Sequence, residues 1–145
     1  MLIGISPLIG PDLLHTLRSM GHGDEIALVD ANYPAQEHAR RLVRADGIGV
    51  MALLDALLPL LPLDHPLPSI LRSAPMNDPA QAGPIHRAID ALCARLAPGV
   101  PVSVLDGAAI YPRVRAAHTV VATGERATYA NVILRKGVIT LPDPG

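Results

Sequence analysis

The stretch PDLLHTLRSMGHGDEIALVD, residues 11–30, decides the fold. Pro11 and Asp12 open a helix: proline suits the first turn, and an acidic side chain suits the positive end of the helix dipole. Leu13, Leu14, Leu17 and Met20 then recur at helical spacing. Gly21 is placed to end that helix. The run Ile26-Ala27-Leu28-Val29 is short, continuous and apolar, which reads as a buried strand. It stops at Asp30. A helix followed by a buried strand, repeated along the chain, indicates an α/β protein. In such sheets ligands collect beyond the carboxyl ends of the strands.

The alternation continues outward. Residues 34–41 suit a second helix, 48–50 a short strand, and 51–61 a helix curtailed near Pro59. Prolines at 62, 66, 68, 75, 79 and 84 make the next segment largely irregular, with one strand expected at 69–73. Pro84 opens a helix whose Ile85, Ile89, Leu92 and Leu96 share a face, and Pro98-Gly99 closes it. Strands follow at 100–105, 119–122 and 131–134, with a helix at 108–117 between the first two. The expected architecture is α/β: a single compact domain over residues 1–145, with a mainly parallel sheet flanked by helices.

Composition removes several function classes. Half of the 145 residues are hydrophobic, which excludes a disordered chain. There is no Phe and no Trp, so aliphatic side chains must fill the core. Such apolarity in a short chain predicts a homo-oligomer. A net charge of −1 and only three tyrosines argue against nucleic acid as a partner. The apolar run 48–63 is interrupted by Asp55, Pro59 and Pro62 and is too short to span a membrane. With no basic leader and a single cysteine, Cys93, the expectation is a cytoplasmic protein without disulfides. Cys93 falls on a helix and reads as a buried structural thiol.

Two polar clusters interrupt this apolar background. Gly21-His22-Gly23-Asp24 sets an imidazole between glycines; it reads either as a general acid/base or as a capping turn with an exposed histidine. Asp30 could accept hydrogen bonds from hydroxyls, orient an imidazole, or cap the next helix. Glu125 and Arg126 read as a loop ion pair. Tyr129 and Asn131, two apart, would face one side of an extended segment, where phenol and amide groups suit hydroxyl recognition; a structural hydrogen bond is the competing role. His38 and Arg44 suit a pocket wall or an ordinary surface. No metal-ligand spacing, phosphate loop, dinucleotide fingerprint or nucleophile elbow occurs.

Gly21-His22-Gly23-Asp24-Glu25-Ile26, Asp30-Ala31-Asn32-Tyr33-Pro34, Arg44-Ala45-Asp46-Gly47 and residues 123–138 together resemble the fucose/ribose mutarotase family (RbsD/FucU type), and within it the L-fucose mutarotase branch. The resemblance implies an RbsD-like α/β subunit in a ring-shaped homo-oligomer, a pentamer or decamer, with sites near subunit contacts. It implies a monosaccharide substrate, with neither metal nor organic cofactor. It implies His22 as the catalytic acid/base, Asp30, Tyr129 and Asn131 as sugar-binding side chains, and Ala130 as a contact through its backbone. Gly107 departs from the branch, which often carries an arginine there; the vacated space implies room for a larger or differently substituted sugar. The reaction implied is interconversion of α and β anomers, and the alternative is a sugar-binding protein without turnover.

Overall fold

The computed structural model describes residues 1–144 and contains five helices of four or more residues and six strands. In chain order these are α1 (Pro11–Ser19), β1 (Glu25–Val29), α2 (Ala35–His38), β2 (Leu42–Ala45), α3 (Val50–Leu57), β3 (Ile70–Arg72), α4 (Pro84–Leu96), β4 (Val102–Val104), α5 (Ile110–Ala116), β5 (Thr119–Thr123) and β6 (Val132–Arg135). Short 3-10 turns cover Leu58–Leu60 and Pro75–Asn77. No helix among the described residues is long and apolar enough to cross a membrane.

The strands form one sheet in the order β2-β5-β1-β6-β3-β4. Every pairing is parallel except the two made by β6, which runs against β1 and β3. The reason lies in the 124–131 connection. A parallel crossover needs a dozen or more residues and usually a helix. This connection is too short and contains none, so β6 returns in the opposite direction beside β1.

Period-two alternation divides β1 between two cores. Ile26 and Leu28 pack with Val121, Val132 and Leu134 beneath α1, α3 and α4. Ala27 and Val29 pack with Val120, Ile133, Ile110 and Val114 on the face covered by α2 and α5. Residues 26–29 are wholly buried, as their uninterrupted apolarity requires. The expected helices and strands at 11–20, 26–29, 69–73, 84–96, 100–105, 108–117, 119–122 and 131–134 are all present, with trimmed ends.

One assignment is corrected. Residues 48–50 are not a strand: Gly49 is the extended residue before α3, and Val50 is its first helical residue. The strand lies earlier, at Leu42–Ala45, paired with β5 from Leu42↔Val120 to Ala45↔Thr123. It is an edge strand in which only Val43 is buried, so its apolar signal is weak.

Cys93 lies inside the α1/α3/α4 core, and burial pushes its thiol up to about 11. The thiolate is the reactive species. The native protein is therefore expected to resist a disulfide-exchange reagent such as dithionitrobenzoate at pH 7.5 and to react stoichiometrically once unfolded. Rapid labelling of the folded protein would contradict this packing.

Candidate functional site

The antiparallel turn of β6 builds the site. It brings the start of β6 against the carboxyl end of β1, and the Asp30 backbone N–H donates to Asn131 Oδ1 at 2.9 Å. Asn131 Nδ2 donates to Ser73 Oγ at the end of β3, at 3.3 Å. With both ends of the amide engaged, the orientation of the Asn131 side chain is fixed. Ser73 Oγ in turn donates to the Tyr129 carbonyl at 2.5 Å, and His86 Nε2 donates to that same carbonyl at 2.9 Å. The His86 ring is buried, and its Nδ1 accepts from the Gly83 N–H at 3.1 Å.

These bonds hold Tyr129 at φ +59°. A residue with a Cβ pays roughly 1–2 kcal/mol in that left-handed region. The expected extended arrangement of Tyr129 and Asn131 is thus corrected: the backbone kinks at Tyr129. Both side chains nonetheless line the same cavity.

That cavity measures about 230 Å³ and is bounded by Asp30, Asn32, Tyr33, Pro34, Tyr111, Thr128, Tyr129 and Asn131. All three tyrosines of the chain are on this wall, and the sequence has no other Phe, Trp or Tyr. A second cavity of about 390 Å³ adjoins it across Asp30, Tyr33 and Pro34 and reaches Arg44 and Asp46. Arg44 thus takes the pocket-wall position of its two possible roles, whereas the local sequence around Tyr33 and Tyr111 did not single out either side chain as a wall residue. The signal that could have found the two tyrosines is the scarcity of aromatics in this chain.

Ala130 is wholly buried and lies outside the cavity wall. Its backbone N–H faces the Asp30 carboxylate, as do those of Asn32, Tyr33 and Tyr129. Burial raises the Asp30 carboxyl above its ordinary value of 3.8, and those four N–H groups only partly offset this. The native state therefore binds the Asp30 proton more tightly than the unfolded chain does. Stability falls as pH rises from 3.8 through the folded-state value and stays lowered above it. Asp30→Asn keeps an acceptor for the Asn32 N–H, now bonded to Oδ1 at 3.0 Å, and removes the buried charge. Its unfolding midpoint in urea is expected to exceed the parent's at pH 7 and to approach it near pH 4. A lower midpoint at pH 7 would mean that the N–H cluster outweighs desolvation.

His22 lies elsewhere. It precedes β1, while Asp30 follows it, so the whole strand of about 16 Å separates them at ~3.3 Å per residue. Its side chain is 58% exposed, and Nε2 sits 3.0 Å from Asp64 Oδ1. Asp64 also accepts from Arg135 Nε at 2.7 Å, and these two partners, Arg135 foremost, hold its carboxyl below the usual range. The Gly21 N–H donates to Asp24 Oδ2 at 2.8 Å, which closes the turn that presents His22 to solvent. Within one chain, His22 and the tyrosine-lined cavity do not meet.

Glu125 does not pair with Arg126. Its carboxylate accepts from the Ala127 N–H at 3.0 Å and from the Val50 N–H at 3.3 Å. It thereby caps the amino end of α3, where the helix dipole favours an anion.

Solved structures similar to the chain over nearly its full length include the following three. The fucose mutarotase of Streptococcus pneumoniae, solved with L-fucose, is 39% identical; the match covers 96% of this chain and all of that one, with a TM-score of 0.86. FucU of Bifidobacterium longum is 34% identical over 94% of this chain and 99% of its own, with a TM-score of 0.85. RbsD of Bacillus subtilis, solved with D-ribose, shares the fold at 18% identity and a TM-score of 0.72, covering 97% of this chain and all of its own. The sequence profile of the RbsD / FucU transport protein family matches residues 3–139, and the chain belongs to that family.

Proposed function

We infer that this chain is a sugar mutarotase, interconverting the α and β anomers of a monosaccharide, with L-fucose or a close relative as the sugar. The observation that carries the reading is the 230 Å³ cavity walled by all three tyrosines with Asp30 and Asn131, in a chain 39% identical to a fucose mutarotase. Clefts for drug-sized ligands run to roughly 300–1,000 Å³. This smaller space suits one sugar ring, with phenol, amide and carboxyl groups for its hydroxyls.

In the reaction a base takes the proton of the anomeric hydroxyl while an acid protonates the ring oxygen. The C1–O5 bond breaks, the aldehyde turns, and the reverse steps close the ring on its other face. Atoms and charge balance without a redox partner. His22 exchanges the proton; Asp30 and Asn131 hold hydroxyls, Tyr129 closes the wall, and the Ala130 backbone fixes the Asp30 carboxylate. Because His22 and Asp30 lie at opposite ends of β1, each site takes its histidine from a second copy of the chain. Exposed apolar side chains at both ends of the chain support such an assembly: Leu2 and Ile3, and Val138, Ile139 and Leu141. A closed ring, pentameric or decameric, satisfies the head-to-tail contact this requires. The protein then acts in the cytoplasm on free reducing sugars.

Saturation-transfer proton NMR tests the reading. Anomer exchange of L-fucose, D-ribose and a panel of other reducing sugars is measured with and without protein. Accelerated exchange of at least one sugar is expected. Sugar binding without acceleration would favour a carrier role instead.

A further inference from the structure

We propose that the Tyr33 hydroxyl is a sugar-contacting hydrogen-bond donor, aimed by a relay that runs from Arg115 through His38. The proposal rests on the reading that the tyrosine-lined cavity holds the sugar. Arg115 Nη2 lies 2.9 Å from His38 Nε2, and His38 Nδ1 lies 2.8 Å from Tyr33 Oη. Guanidinium groups only donate. Nε2 therefore accepts, and the single ring hydrogen of the imidazole sits on Nδ1, which donates to the Tyr33 oxygen. The phenol's own proton is left over. No other described residue lies within hydrogen-bond reach of Tyr33 Oη to accept it. Without Arg115, the imidazole could take the other tautomer and absorb that proton itself.

The ring is held where such a donor is useful. Tyr33 stacks on Tyr111, with centroids 5.9 Å apart and planes 21° from parallel. The His38 ring packs edge-on against both, at 5.3 Å and 6.1 Å. The Tyr33 N–H donates to the Asp30 carbonyl at 3.1 Å, which ties the clamp to the carboxylate that closes β1. Tyr33 borders both cavities, which sets its side chain at their junction. Separately, burial pushes the phenol up to about 12, so it keeps its proton at any working pH. At that value it orients a sugar oxygen rather than acting as the acid of the reaction. Tyr33 is thus a specificity-determining contact, and His38 and Arg115 are positioning residues.

The test uses Tyr33→Phe, which keeps the stacked ring, together with Arg115→Ala on the surface, the double variant, and Asn131→Ala as a site control. Exchange kinetics by NMR give KM and kcat for the best sugar. Tyr33→Phe is expected to raise KM roughly 3- to 10-fold, the value of one neutral hydrogen bond, with kcat little changed. Arg115→Ala should raise KM in the parent and add nothing in the Tyr33→Phe background, while Arg115→Lys, which keeps a donor, should restore it. Unchanged KM in Tyr33→Phe with a loss in Asn131→Ala would overturn the proposal and leave the site reading intact. Unchanged KM in both would overturn both. Additive losses in the double variant would overturn the relay.

Discussion

His22→Ala is expected to slow catalysed anomer exchange by about 10²- to 10⁴-fold, the usual contribution of a positioned acid/base group. Its folding should be nearly unaffected. The side chain is more than half exposed, and its one hydrogen-bond partner, Asp64, keeps the Arg135 bond at 2.7 Å. Exchange rates and melting curves of the same preparation check both halves of the statement. A second step locates the histidine. Asp30→Asn is also expected to be inactive, because a neutral amide replaces the carboxylate that receives the sugar hydroxyls. Subunits of the two inactive proteins are then mixed under conditions that allow exchange. If each site draws His22 and Asp30 from different copies, random mixing restores about a quarter of the sites. If both belonged to one chain, every site would retain a defect and no activity would return.

Gly124→Ala is expected to carry the largest stability loss of any single methyl addition in the site's frame. A Cβ at Gly124 would overlap the Asp46 carbonyl oxygen and lie 3.0 Å from its carbon. Both obstacles are backbone, so no side chain can swing aside. The Gly124 N–H is bonded to the Ile48 carbonyl at 2.8 Å, and Glu125 caps α3 next door. Relieving the clash therefore separates β5 from the loop leading into α3 and releases the cap. Overpacking of this kind costs about 3 kcal/mol, which for a chain of this size lowers Tm by roughly 10 °C. Thermal unfolding followed by circular dichroism measures it. A parent-like Tm would mean that the 46–48 loop yields freely.

How far the sequence carries is visible in particular elements. Residues 11–19 and 84–96 read as helices because proline, spacing and terminal signals agree locally. Residues 26–29 read as a buried strand because nothing polar interrupts them. β2 did not read, since an edge strand with one buried side chain differs little from a loop. Ile48 and Val50 misled for the converse reason: apolar residues at a helix entrance resemble a strand until the cap is seen. The resemblance to the mutarotase family rested on short polar motifs, and the family match bears it out. The Glu125–Arg126 pairing failed because the bare amino end of α3 offers Glu125 backbone donors that Arg126 cannot replace.

By itself the sequence determined the α/β class, the aliphatic composition of the core and the family, because each depends on local order: periodicity, residue type and motif spacing. Only the tertiary structure decided three further matters. It reversed β6, so that Asn131 meets Asp30. It gathered three tyrosines from distant parts of the chain onto one wall. It set His22 a full strand away from the cavity. Each is a relation between segments far apart in the chain, fixed by strand direction and packing, which no local pattern encodes.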